Sequence, residues 1–112
     1  MKPEYGAIVS FTGTIRNISH GKKVAFLERE TYGETTEKRL RDLISEINKR
    51  WQLQDIAVCY RTGKLKVGEI ALVIAVAAPH RQEAFQACQY AVDGLKQAGI
   101  VREKEVYKDD TS

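Results

Sequence analysis

Eight consecutive apolar residues, Ile70-Ala71-Leu72-Val73-Ile74-Ala75-Val76-Ala77, lead into Ala78-Pro79-His80-Arg81 and then into an amphipathic stretch that runs to Lys96. A run of that length, rich in β-branched residues, predicts a buried strand. Proline is well placed in the first turn of a helix, where its missing N–H costs nothing. His80 and Arg81 are thereby placed at a helix N-terminus, where free backbone N–H groups and the helix dipole favour an anion. The expected ligand carries a phosphate or carboxylate. The alternative, that His80 only covers the helix end and Arg81 is a solvated surface residue, is the one this tetrapeptide alone favours.

Upstream, Gly6 to Arg16 reads as a strand in which Ile8, Ser10, Thr12 and Thr14 alternate with Ala7, Val9, Phe11 and Ile15. Gly13 interrupts it, as glycine does at a bulge or a close backbone approach. The polar stretch Asn17 to Lys22 reads as a loop, and Lys23 to Tyr32 as a second strand expected to pair antiparallel with the first. Thr35 to Trp51 carries Leu40, Leu43, Ile44, Ile47 and Trp51 at helical spacing, with Thr35 or Thr36 available as a cap. Asp55 to Arg61 is a third strand, and Thr62-Gly63 and Val67-Gly68 punctuate a hairpin-like excursion before the apolar run. The second helix starts near Pro79, with Arg81, Ala84, Phe85, Cys88, Val92 and Leu95 on its apolar stripe and Gly99 just past its end. Lys96 falls on the edge of that stripe, so its stem can bury while its amine faces a cleft. The tail is expected to fray from about residue 106. The order β-β-α-β-β-β-α predicts one α+β domain over residues 1–112, with two principal helices packed on a mainly antiparallel sheet.

Charge narrows the partners. Eighteen basic against 15 acidic residues give a net charge of +3 without basic blocks, which points to small anions or an acidic protein surface rather than nucleic acid. No strand has the aromatic pattern that stacks RNA bases. Cys59 and Cys88 lie in apolar strand and helix patterns with no C-x-x-C, so both are expected to be buried and structural in a reducing, cytoplasmic setting. His20 and His80 stand far apart without carboxylate or cysteine partners at ligand spacing, so no metal site is expected. Neither a dinucleotide-binding nor a P-loop glycine pattern occurs. No charged segment leads into an apolar one at the start, and no apolar run is long enough to span a membrane. Cys88 and His80 are eight residues apart on one helix, too far for a direct nucleophile–base pair.

Several separated segments resemble one family in order and in register: GAIVSFTGTIRN over Gly6 to Asn17, LERETY over Leu27 to Tyr32, APHRQEAF over Ala78 to Phe85, and Leu95-Lys96. Together they are similar to the large, catalytic subunits of molybdopterin synthase. The resemblance implies an α+β protein that forms a homodimer and binds one small ubiquitin-like sulfur-carrier subunit per protomer, giving a heterotetramer. It implies conversion of cyclic pyranopterin monophosphate to the dithiolene molybdopterin, with sulfur delivered as a thiocarboxylate on the small subunit's C-terminal glycine. No metal, cofactor or cysteine of the large subunit is then required. The alternative is a divergent, non-catalytic relative that only binds the small subunit.

By the same resemblance the arginine of the F-x-G-x-x-R motif is Arg16, with Thr14 and Ile15 beside it. The histidine–arginine pair is His80 and Arg81, and the catalytic lysine is Lys96. Beyond Gly99 the chain departs from the family's proline, aromatic and W-K-x-E pattern, reading Ile100-Val101-Arg102-Glu103-Lys104-Glu105. Glu103 stands where the second functional lysine belongs. Either Lys104 replaces it through a one-residue shift, or the lysine is lost; Glu103, Lys104 and Glu105 are all assigned to the substrate site on this basis. Chemically, guanidinium groups at Arg16 and Arg81 suit the holding of a phosphate, and His80 can donate without a permanent charge. Lys96 suits sulfur transfer, because an amine can give and take a proton where a guanidinium cannot.

Overall fold

The computed structural model describes residues 6–53 and 55–108. In chain order its elements are β1 (Ala7–Thr14), β2 (Ile18–Ser19), β3 (Lys22–Thr31), α1 (Glu34–Arg50), β4 (Asp55–Tyr60), β5 (Gly63–Lys66), β6 (Ile70–Ala78), α2 (Arg81–Ala98) and β7 (Val101–Tyr107). The apolar run becomes β6, the middle strand of an antiparallel sheet ordered β1-β6-β4. One face of this sheet carries Val9, Phe11, Ile74, Val76, Ile56 and Val58 against the two helices. Leu43 and Ile47 of α1 meet Ala84, Ala87, Cys88, Ala91 and Leu95 of α2 in that layer. The predicted α+β class is borne out.

A second antiparallel sheet is built around β3, with β5 on one edge and β7 on the other. It has its own small core of Ile15, Leu27, Leu65 and Ala71. Two cores set side by side make the molecule long: the radius of gyration is 16.2 Å, against about 13 Å for a chain of this size with a single compact core. The register shift between Val24 and Phe26 brings Val24 onto the same buried face as Leu27.

Several expectations are corrected. The first long strand does not pair with the second; β1 pairs with β6 and β3 pairs with β2, β5 and β7, so there are two sheets rather than one. Ile18–Ser19, expected in a loop, form the short strand β2. The tail is ordered through Lys108, whose N–H donates to the Lys23 carbonyl, and Val106 and Tyr107 belong to β7; the rest of the expected frayed end, residues 109–112, lies outside the described residues. Neither Thr35 nor Thr36 caps α1, because Gly33 occupies the cap and Thr36 is fully buried in the helix. Phe85 and Arg81 are exposed rather than part of the buried stripe, which runs instead through Ala84, Ala87, Cys88, Ala91 and Leu95. Gly13 does mark a bulge, with the register shifting between Gly13 and Thr14.

Candidate active site

The C-terminal end of α2 is tied down from three sides. Gly99 turns the chain in the left-handed region (φ 62°, ψ 50°), a conformation costly for residues with a Cβ. Arg39 of α1 donates to the carbonyls of Ala98 and Gly99 at 3.0 and 2.9 Å, meeting the helix end with positive charge. The buried Thr36 hydroxyl donates to the Ile100 carbonyl and accepts from Tyr32 N–H at 2.8 Å. A cleft of about 330 Å³ opens beside this end. Tyr60 and Leu72 come to it from the first sheet, Leu95, Lys96 and the 99–101 turn from α2, and Arg29 and Glu103 from the second sheet. Lys96 is exposed there and makes no ion pair or hydrogen bond among the described residues.

Arg29 was not anticipated. Its Nη1 donates to the Ala71 carbonyl at 3.0 Å and its Nη2 to Glu103 Oε1 at 2.6 Å, and only 12% of its side chain is exposed. Its Nε is buried without a partner among the described residues, which costs about 1–3 kcal/mol for a donor removed from water. Glu103 sits directly across the β3–β7 ladder from Arg29, and Lys104 across from Glu28. Successive residues of a strand point to opposite faces. Glu103 therefore faces the cleft with Arg29, and Lys104 faces away with Glu28. A one-residue substitution of Lys104 for the missing lysine would need the whole strand to slip. Glu105, further along β7, stands 3.9 Å from His20 and accepts from the Tyr107 hydroxyl.

The N-terminal end of α2 is built differently. His80 holds the cap position in extended backbone (φ −127°, ψ 144°), and its side chain makes no capping hydrogen bond. Pro79 therefore precedes the cap and is not in the first turn. The chain packs tightly here: a Cβ on Gly6 would lie 1.9 Å from the Pro79 carbonyl oxygen. Gly6, Pro79, His80, Arg81 and Gln82 line a shallow hollow. Arg81 and Lys96 are about 22 Å apart by helical rise, so within one protomer the pair and the lysine do not meet.

Arg16 follows β1 at the other end of that strand, the end whose Gly13 pairs with the cleft residue Leu72. It is exposed, as is Thr14. Ile15 is buried in the second core, with its N–H donating to the Glu69 carbonyl and its carbonyl accepting from Gly68 N–H. The Lys66 N–H beside it holds the Glu69 carboxyl below the usual range, with Arg61 adding to the effect. Burial pushes the Cys88 thiol up, away from the reactive thiolate, whereas Cys59, expected to be buried, lies on the exposed face of β4 as a free thiol. A wider groove of about 640 Å³ between α1 and α2 is lined by Arg39 and by the carboxylates of Asp42, Glu46 and Asp93, a net negative charge that disfavours a phosphate ester.

Residues 1–98 match the family described as MoaE protein. The chain belongs to the MoaE family. It is 40% identical to the molybdopterin synthase catalytic subunit of Thermoplasma volcanium over 94% of this chain and 77% of that protein. Among solved structures it is similar to molybdopterin synthase from Staphylococcus aureus, with a TM-score of 0.90 and 36% identity over 97% of this chain and 80% of that one. A complex of subunits 1 and 2 of molybdopterin-converting factor from Helicobacter pylori shares the fold alone, at 13% identity, a TM-score of 0.76, and 97% and 75% coverage.

Proposed function

We infer that the chain is the catalytic subunit of molybdopterin synthase. It converts cyclic pyranopterin monophosphate to molybdopterin, taking sulfur from the thiocarboxylated C-terminus of a small ubiquitin-like subunit. The observation that carries this reading is an unpaired lysine amine, Lys96, at a cleft of about 330 Å³ in a chain of this family. The apolar walls at Leu72, Leu95 and Ile100 suit an extended peptide tail, and Lys96 and Arg29 place positive charge around its anionic end. Lys96 is the catalytic residue, holding or moving the proton as sulfur is transferred. Free cysteines at 59 and 88 suit a reducing compartment, and we take the protein to be cytoplasmic.

The substrate phosphate is assigned to Arg16, His80 and Arg81. Arg16 lies at the Lys96 end of the molecule, whereas His80 and Arg81 lie about four helical turns away. They join one site in a homodimer whose two-fold axis sets the N-terminus of one α2 near the C-terminus of the other. One small subunit per protomer then completes a heterotetramer. Mixing the purified chain with thiocarboxylated small subunit and the pyranopterin tests the reading: dithiolene product is expected. Small-subunit binding without product would favour a non-catalytic relative.

A further inference from the structure

Glu103 and Lys96 line the same cleft, yet the carboxylate is paired with neither solvent alone nor the lysine. Arg29 Nη2 holds it at 2.6 Å, and Arg29 is itself fixed by the 3.0 Å bond from Nη1 to the Ala71 carbonyl on the neighbouring sheet. The cross-strand register sets Arg29 directly opposite Glu103, so backbone pairing fixes the position of the clamp. An aliphatic side chain at position 29 would pack on the same face as Leu27 without leaving a buried Nε unpartnered. The arginine therefore makes a poor choice for packing and a good one for controlling a carboxylate. A carboxylate released from Arg29 would be free to turn to the Lys96 amine that lines the same cleft and occupy it.

We propose that Arg29 is a positioning residue for sulfur transfer: it clamps Glu103 to the β3–β7 ladder and so keeps the Lys96 amine unpaired and available. The clamp also sets a cation beside the acidic residue at position 103, so the wall of the cleft facing an anionic tail is not left negative. The inference rests on Lys96 being the catalytic residue.

The test compares the full chain, Arg29→Leu, and Arg29→Leu combined with Glu103→Gln, each with its small subunit. Two readouts are taken: acetylation of the Lys96 amine by an N-hydroxysuccinimide ester at fixed pH, followed by peptide mass spectrometry, and single-turnover product formation. Arg29→Leu should slow both by about tenfold or more as Glu103 captures the amine, and removing the carboxylate in the double variant should restore acetylation. A double variant whose Lys96 is acetylated as slowly as in Arg29→Leu would make the arginine's role structural and overturn the proposal. Unchanged Lys96 acetylation in Arg29→Leu would overturn it as well. If Arg29→Leu does not fold, Arg29→Gln, which keeps a donor and loses the charge, takes its place in the same comparison. Wild-type protein that shows no turnover but the expected acetylation pattern would refute the assigned reaction while upholding the clamp.

Discussion

The two ends of α2 are made of similar residue types and do different things. At the N-terminus, His80 and Arg81 stand exposed at a helix end with no side-chain cap. Among the described residues its first backbone N–H groups lack side-chain partners, and the His80 and Arg81 side chains make no hydrogen bond or ion pair. At the C-terminus, Arg39, Thr36 and Gly99 satisfy the helix end from within the protein, and Lys96 projects from a rigid frame. An open end suits capture of a mobile anion. A braced end suits chemistry, because a reacting group must be held to a fraction of an ångström. On the proposed function, the same helix separates binding from catalysis by its own length.

The strongest way to break this comparison is Lys96→Ala. Single-turnover product formation should fall by about 10²-fold or more, as for a positioned proton-transfer group, while small-subunit binding is kept. Lys96→Arg should not rescue it, since a guanidinium keeps its proton. Next come Arg81→Ala and Arg16→Ala, each expected to weaken pyranopterin binding by about 1.5–3 kcal/mol by calorimetry, the worth of a charge-assisted hydrogen bond. Unchanged affinity in both would remove them from the site. Thr36→Val tests the bracing: losing a buried hydroxyl that serves two backbone partners should lower stability by about 1–2 kcal/mol in denaturant titration. Lys104→Ala should have the smallest effect, within about twofold of wild-type turnover, because its side chain leaves the sheet on the face opposite the cleft.

The elements that were legible in the sequence are those whose pattern is decided by burial. Ile70–Ala77 could only be a central strand, and the spacing of Leu43 and Ile47 could only be one helix face. β7 does not show in the sequence because the mixed charges of Arg102, Glu103, Lys104 and Glu105 carry no apolar alternation; their cross-strand partners Glu30, Arg29, Glu28 and Leu27 lie more than 70 residues earlier and are brought alongside only by the fold. Arg29 was hidden for the same reason, although a signal existed. It falls two residues after Leu27, on the buried side of an alternating strand, where a charged side chain calls for a partner. The separation of His80–Arg81 from Lys96 was also readable, as a helix of this length sets them at opposite ends; resemblance grouped them into one site, and the rise per residue separates them within one protomer.

The central claim is that the open end of one α2 serves the braced end of another, and subunit complementation tests it most directly. Lys96→Ala protein and protein carrying both His80→Ala and Arg81→Ala are each expected to be nearly inactive. Dissociated and reassociated together, half of their dimers pair one of each, and every such dimer holds one intact composite site. Turnover should then recover to about a quarter of the wild-type level, the share set by two-fold symmetry and random pairing. Turnover no greater than the average of the two parents, in a mixture shown to contain the mixed dimer, would contradict the account.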